Sequence, residues 1–145
     1  MKKTLGDNRP ILLVEDDQVD RMTVKRAVRK LKIGNKLQTA DNGEVALEHL
    51  ENNRDNLPCI ILLDINMPRM NGIEFLKIIK QDDDFKSIPV IILTTSEEEK
   101  DRYESFNLSI AGYVVKPVDF DAFIQVMDVI QKYWSLMRFP NKKEQ

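Results

Sequence analysis

Four short apolar runs in this chain each end on residues able to do chemistry. Residues 11–14 lead into Glu15, Asp16 and Asp17; residues 60–63 into Asp64; residues 90–93 into Thr94, Thr95 and Ser96; residues 112–115 into Lys116. Several carboxylates held close together repel one another, and a hard divalent cation with oxygen ligands relieves that repulsion. Mg²⁺ suits such a site because it keeps several waters and also accepts phosphate oxygens. A carboxylate beside a cation and a lysine can attack phosphorus and form an acyl phosphate. The cation and the ammonium then neutralise the charge spread over the phosphoryl oxygens, and a nearby hydroxyl can hydrogen-bond to them. If the fold unites these run ends, the chemistry they suggest is phosphoryl transfer to aspartate.

The elements that would unite them are legible from periodicity. The apolar runs at 11–14, 60–63 and 90–93 are nearly uninterrupted, the pattern of strands covered on both faces in a parallel sheet. Residues 37–40 and 112–115 complete five strands. Between them, Val24, Ala27, Val28 and Leu31 recur at helical spacing. So do Gly72, Phe75, Leu76 and Ile79, and Phe120, Phe123, Ile124 and Met127. Ser96 with Glu99, and Asn71 with Glu74, read as capping boxes, and Asp119 as the cap of the last helix. The order is (βα)₅, an α/β doubly wound, flavodoxin-like fold with a central five-stranded parallel sheet and helices on both faces. In such sheets ligands bind beyond the carboxyl ends of the strands, where the reactive residues cluster here.

Composition narrows the field. The chain of 145 residues has 22 Lys and Arg against 24 Asp and Glu, a formal net charge of −2. That balance argues against bulk electrostatic binding to nucleic acid. One cysteine makes no internal disulfide and excludes a cysteine-based zinc site, so a reducing cytoplasmic setting is expected. No apolar run reaches the ~20 residues needed to cross a bilayer.

The run ends also sit in four motifs, in order: ILLVEDD, LLDINMPRMNG, IPVIILTTS and GYVVKP. Together they resemble the receiver domain of two-component response regulators, over roughly residues 9–134. The resemblance implies that Asp64 is the phosphoacceptor and that Glu15 and Asp16 are the acidic pair holding Mg²⁺, Asp16 directly and Glu15 indirectly. It implies that Asn66 lends a backbone carbonyl to the metal. Thr94 resembles the switch hydroxyl, Lys116 the phosphoryl-pairing lysine, and Tyr113 the aromatic switch. Pro117 resembles the proline whose bond from Lys116 is cis in the family, and Gly72 the glycine after the phosphoacceptor loop. The function implied is a signalling switch in a phosphorelay. It is fed by a histidine kinase or phosphotransfer protein and read out by a downstream protein at the face of helix 4, strand 5 and helix 5. It would catalyse only its own phosphorylation and dephosphorylation.

Other residues have plainer readings. Asp17 suits a helix cap, and the runs 82–84 and 97–99 suit solvated surfaces. His49 sits beside Leu47 and Leu50 in an amphipathic stretch, and Cys59 reads as a small buried hydrophobe. Two other functions compete. An aspartate-nucleophile phosphohydrolase of the haloacid-dehalogenase kind would need a second acid two residues after Asp64, where this chain has Asn66. A phosphorylation-independent scaffold would not need the intact Asp, acidic pair, Thr and Lys. A dinucleotide or flavin site is disfavoured because no glycine-rich loop follows the first strand.

Residues 135–145 form a C-terminal extension with no room for an output domain, so a stand-alone receiver acting by protein contact is expected. The long connection after the first helix and the QKYWSLMRFP tail are similar to small regulators that partner bacterial phytochromes. On the last helix, Ala122, Val126, Val129 and Tyr133 form a second apolar stripe beside the core stripe. With Trp134, Leu136, Met137 and Phe139 following, a two-fold homodimer through this helix is expected, against the alternative that the extension folds back on its own domain.

Overall fold

In the computed structural model, which describes Thr4 and residues 7–138, the five apolar runs pair as one parallel sheet. The elements are β1 (Ile11–Val14), α1 (Gln18–Lys30), β2 (Leu37–Ala40), α2 (Gly43–Asn52), β3 (Ile60–Leu63), α3 (Gly72–Ile79), β4 (Val90–Thr94), α4 (Glu99–Asn107), β5 (Gly112–Val115) and α5 (Phe120–Ser135). The strand order is β2-β1-β3-β4-β5, with Val14 level with Leu63 and Thr94 level with Val115. That register brings the carboxyl ends of β1, β3, β4 and β5 to one edge.

Side-chain alternation explains why the central strands are apolar throughout. Leu12, Val14, Ile61, Leu63, Val90 and Ile92 face one core with Leu50, Phe75, Leu76 and Ile79. Ile11, Leu13, Ile60, Leu62, Ile91 and Leu93 face the other with Val24, Ala27, Phe123, Met127 and Trp134. Each strand thus buries both faces, which takes an uninterrupted run of Val, Ile and Leu.

Caps start most of the helices. Asp17 accepts from Val19 and Asp20 amides, Asn42 from Val45, and Asp119 from Ala122, while Asn71 and Glu74 form the expected capping box. The box expected at Ser96 and Glu99 does not form. The cap position of α4 is Glu98, which makes no side-chain cap bond; Ser96 stands two residues earlier, where its hydroxyl accepts the Glu98 amide at 3.3 Å and donates to Asp101 at 2.6 Å.

Helix α5 departs from the expected stripe. Phe123 and Met127 are buried, but Phe120 and Ile124 are only half-buried, and the core continues through Ile130 and Trp134. Trp134, grouped with the apolar tail on sequence grounds, is 6% exposed and belongs to the core. Phe139 lies outside the described residues.

Candidate functional site

Gly72 shows how tightly the sheet edge is built. A Cβ at this position would lie 2.3 Å from the Asp64 carbonyl oxygen and 2.9 Å from the Ile65 Cα. The Gly72 amide also donates to the Ile65 carbonyl at 2.9 Å. Only glycine lets the start of α3 press against the backbone just after β3, and so fix where Asp64 points.

At this edge Glu15, Asp16 and Asp64 each bring a carboxylate oxygen to within 4.8 Å of the others. Glu15 is 2% exposed and Asp64 7%, whereas Asp16 is open to solvent. Arg21 holds the loop in place by donating to the carbonyls of Glu15 at 2.9 Å and Asp16 at 3.1 Å. Burial raises the Glu15 carboxyl to about 7; the hydrogen bond from Lys116 partly offsets this and the charge of Asp64 adds to it. Asp64 is also pushed up, chiefly by burial, against hydrogen bonds from the Thr94 hydroxyl and the Ile65 amide and the charge of Lys116. Two nearly buried carboxylates and one exposed one, all oxygen donors short of positive charge, fit a hard divalent cation. Among the described residues this is the only cluster of ligating side chains that could hold a metal.

Lys116, from the end of β5, enters the same space. Its ammonium donates to Glu15 Oε2 at 2.7 Å and to Asp20 Oδ2 at 3.0 Å, and its side chain is only 10% exposed. Burial works to lower its pKa, but the bonds to Glu15 and Asp20 and the charges of Glu15 and Asp64 outweigh that and raise it, so the lysine is charged. A cleft of ≈ 270 Å³ lined by Asp20, Thr95, Lys116, Pro117 and Val118 opens beside it.

A hydrogen-bonded path leaves the site through β4. Thr94, fully buried, bonds to Asp64 and accepts the Ser96 amide at 3.3 Å. The Ser96 carbonyl accepts the half-buried Tyr113 hydroxyl at 3.0 Å.

The structure therefore assembles Glu15, Asp16, Asp64, Thr94 and Lys116 at one edge, with Tyr113 one step away. Asn66 follows in the exposed loop after Asp64. One expectation fails: no peptide bond among the described residues is cis, so the Lys116–Pro117 bond is trans. Trans is the intrinsically favoured form of an X–Pro bond by about 0.5–1 kcal/mol, and with it the Lys116 ammonium already reaches both of its carboxylates. Asp20 was not anticipated. It stands in the first turn of α1, three residues after the cap Asp17, but its partner is 96 residues away.

The plainer readings hold where the structure speaks to them. Asp17 is a cap, His49 hydrogen-bonds to Gln38 at 2.8 Å, and Cys59 is buried. The acidic run at 82–84 is less solvated than expected, because Arg54 pairs with Asp82 at 2.8 Å and Asp84 at 2.7 Å.

A doubly wound sheet with an acidic trio, a hydroxyl and a lysine at its carboxyl edge defines a class of phosphoryl-accepting signalling modules. The family model of the response regulator receiver domain matches residues 11–128, and the chain belongs to that family. It is similar to the response regulator Rcp1 of Synechocystis sp., 34% identical over 128 residues that span 86% of this chain and 87% of that protein. It is also similar to the probable methanogenesis regulatory protein FilR2 of Methanothrix harundinacea, 32% identical over 86% of this chain and 82% of that protein. The phosphorylated cyanobacterial phytochrome response regulator RcpA superposes with a TM-score of 0.85 at 31% identity, covering 93% of this chain and all of that one. Rcp1 has also been solved in an Mn²⁺-bound form. The chain is thus a receiver domain of a two-component system, a phosphorylation-activated switch. Receiver domains bind a divalent metal in an acidic pocket and work with histidine kinases or phosphotransfer proteins. No helix among the described residues is long and apolar enough to cross a membrane.

Proposed function

We propose that Asp64 is the phosphoacceptor of this switch and that Mg²⁺ is the cation it uses. The observation that carries the reading is the meeting of Glu15, Asp16 and Asp64 within 4.8 Å, beside a charged Lys116 and a buried Thr94 hydroxyl. An Asp64 carboxylate oxygen attacks the phosphorus of a phosphohistidine. The new P–O bond forms as the P–N bond breaks, and the imidazole leaves with the electron pair. Asp16, Asp64 and the Asn66 carbonyl would hold the cation, with Glu15 assisting indirectly. When bound there it would supply charge neutralisation at the phosphoryl oxygens. Lys116 turns from its carboxylates toward those oxygens. Thr94 leaves the Ser96 amide to bond to them, which frees the loop under Tyr113 and alters the face of α4, β5 and α5. Water later attacks the phosphorus of the acyl phosphate, the bond from phosphorus to the Asp64 oxygen breaks, and inorganic phosphate leaves with the carboxylate restored, so catalysis is limited to the chain's own phosphorylation and dephosphorylation. Asn66, unable to act as a general acid, supports this reading over a phosphohydrolase.

We also infer a cytoplasmic receiver unit over residues 9–134. Its partners are a histidine kinase or phosphotransfer protein, a downstream protein and a second copy of the chain, with neither nucleic acid nor membrane contacted directly. On α5, Val129 is 66% and Tyr133 56% exposed, and Leu136 and Met137 continue the exposed apolar strip. A symmetric contact would cover it. Sedimentation at tens of micromolar tests this (on the order of a weak interface,): a dimer lost in Val129→Asp is expected, and a monomeric wild type refutes it.

Incubation with acetyl phosphate and Mg²⁺, followed by intact mass, tests the phosphoacceptor. Wild type should gain one phosphoryl group, Asp64→Asn none, and Thr94→Ala should gain it without the NMR shifts of α4 and β5. Labelling of Asp64→Asn at the wild-type rate overturns the assignment. Turnover of small phosphate esters would favour the phosphohydrolase.

A further inference from the structure

Lys116 has two carboxylate partners, and only one of them belongs to the acidic trio. Glu15, Asp16 and Asp64 converge within 4.8 Å; Asp20 lies outside that group, in the first turn of α1, with its carboxylate 3.0 Å from the Lys116 ammonium. The lysine must serve two states. Before phosphorylation it bridges Glu15 and Asp20; afterwards its donors are needed by a phosphoryl group carrying a charge of about −2. A cation bound by the trio draws on Glu15 and repels the ammonium, which weakens the 2.7 Å bond. The same cation does not engage Asp20. The Asp20 carboxylate is therefore the acceptor that still competes with the phosphoryl group for Lys116 when the metal is in place.

We propose that Asp20 is a positioning residue that parks Lys116 on the α1 side of the site and so sets the balance between the resting and phosphoryl-bound states. The inference rests on the phosphoacceptor reading of Asp64. Asp20 touches neither the phosphoryl group nor the cation and acts through the lysine alone. Its side chain is 36% exposed, so the competition is that of a half-solvated ion pair. Its removal should shift binding of a phosphoryl stand-in by roughly two- to five-fold.

The test titrates beryllium fluoride, in saturating Mg²⁺, into wild type, Asp20→Asn, Lys116→Ala and the double variant, followed by amide NMR. Asp20→Asn should bind more tightly than wild type, and the gain should vanish in the Lys116→Ala background. Two further readouts separate the lysine from simple loss of a negative charge. The Lys116 side-chain resonances of Mg²⁺-loaded Asp20→Asn should already lie toward their beryllofluoride-bound positions. Asp20→Glu, which restores an acceptor, should return affinity and resonances toward wild type. Unchanged or weaker binding by Asp20→Asn overturns the proposal, as does tighter binding with wild-type Lys116 resonances. If wild type itself fails to bind beryllofluoride, the phosphoacceptor reading falls, and this proposal with it.

Discussion

At the scale of single residues, the site depends on one atom that is missing and on one acid held in an unfavourable state. A Gly72→Ala methyl would collide with the Asp64–Ile65 backbone, which cannot move aside as a flexible side chain would. The loss should be about 2 kcal/mol or more, in the range of overpacking, visible as a lower midpoint in urea, with impaired phosphorylation because Asp64 is displaced. Glu15 supplies a pH signature. Its carboxyl, raised from 4.5 to about 7, holds its proton in the folded state across an interval where the unfolded chain has lost it. The folded state then binds more protons, so metal-free stability should fall as pH rises from about 4.5 to 7, by about 3 kcal/mol in total. Asp64, shifted in the same direction, adds to the trend. Thermal melts in EDTA across this range check it, and Glu15→Gln should flatten the curve.

At the scale of elements, α4 and α5 are anchored very differently. Helix α5 has a capping Asp119 and buries Phe123, Met127, Ile130 and Trp134; α4 has no side-chain cap and buries only Ser105. Helix α4 should therefore open locally at lower free energy, and its amides should exchange with solvent faster than those of α5. An α4 as protected as α5 would contradict this. Trp134→Ala, which empties a core position at the end of α5, should cost about 3–5 kcal/mol, as large aromatic deletions do. The same helix is thus core on one face and exposed and apolar at Val129 and Tyr133 on another. Weak anchoring of α4 suits the proposed switch, in which a small change at Thr94 and Ser96 moves it.

At the scale of the whole molecule, the fold gathers charge that its own side chains do not neutralise. Among the described residues Lys116 is the cation bonded to a carboxylate of the trio, and that lysine is shared with Asp20. A cation that binds only the folded chain stabilises it by mass action, by about 2.7 kcal/mol at a hundred-fold excess over Kd. Mg²⁺ should accordingly raise the melting temperature of wild type. Asp16→Asn, having lost a hard ligand, should respond far less to Mg²⁺, yet melt higher than wild type in EDTA because one repelling charge is gone. Equal responses to Mg²⁺ would contradict the assignment of the site.

The sheet and most of the residues gathered at its carboxyl edge were legible in the sequence. Strands buried on both faces demand unbroken runs of Ile, Leu and Val, so β1, β3 and β4 were legible as written, and the residues after them followed from the rule that such sheets bind at their carboxyl ends. Asp64, Glu15, Asp16, Thr94 and Lys116 were found because each sits at or within two residues of the end of a strand, where local pattern and tertiary position coincide. What tertiary structure decided lies where distant segments compete for one group. Ser96 could be the cap of α4, but the helix starts two residues later, and the Ser96 hydroxyl bonds the Glu98 amide and Asp101 in the loop before it. The Lys116–Pro117 bond could take either isomer, and the trans form already carries the ammonium to its partners. Trp134 could extend an exposed tail or close the core, and the turn of α5 over the sheet put it inside. Asp20 became part of the site only because α1 and β5 meet, a contact that a periodic reading of either segment alone does not contain.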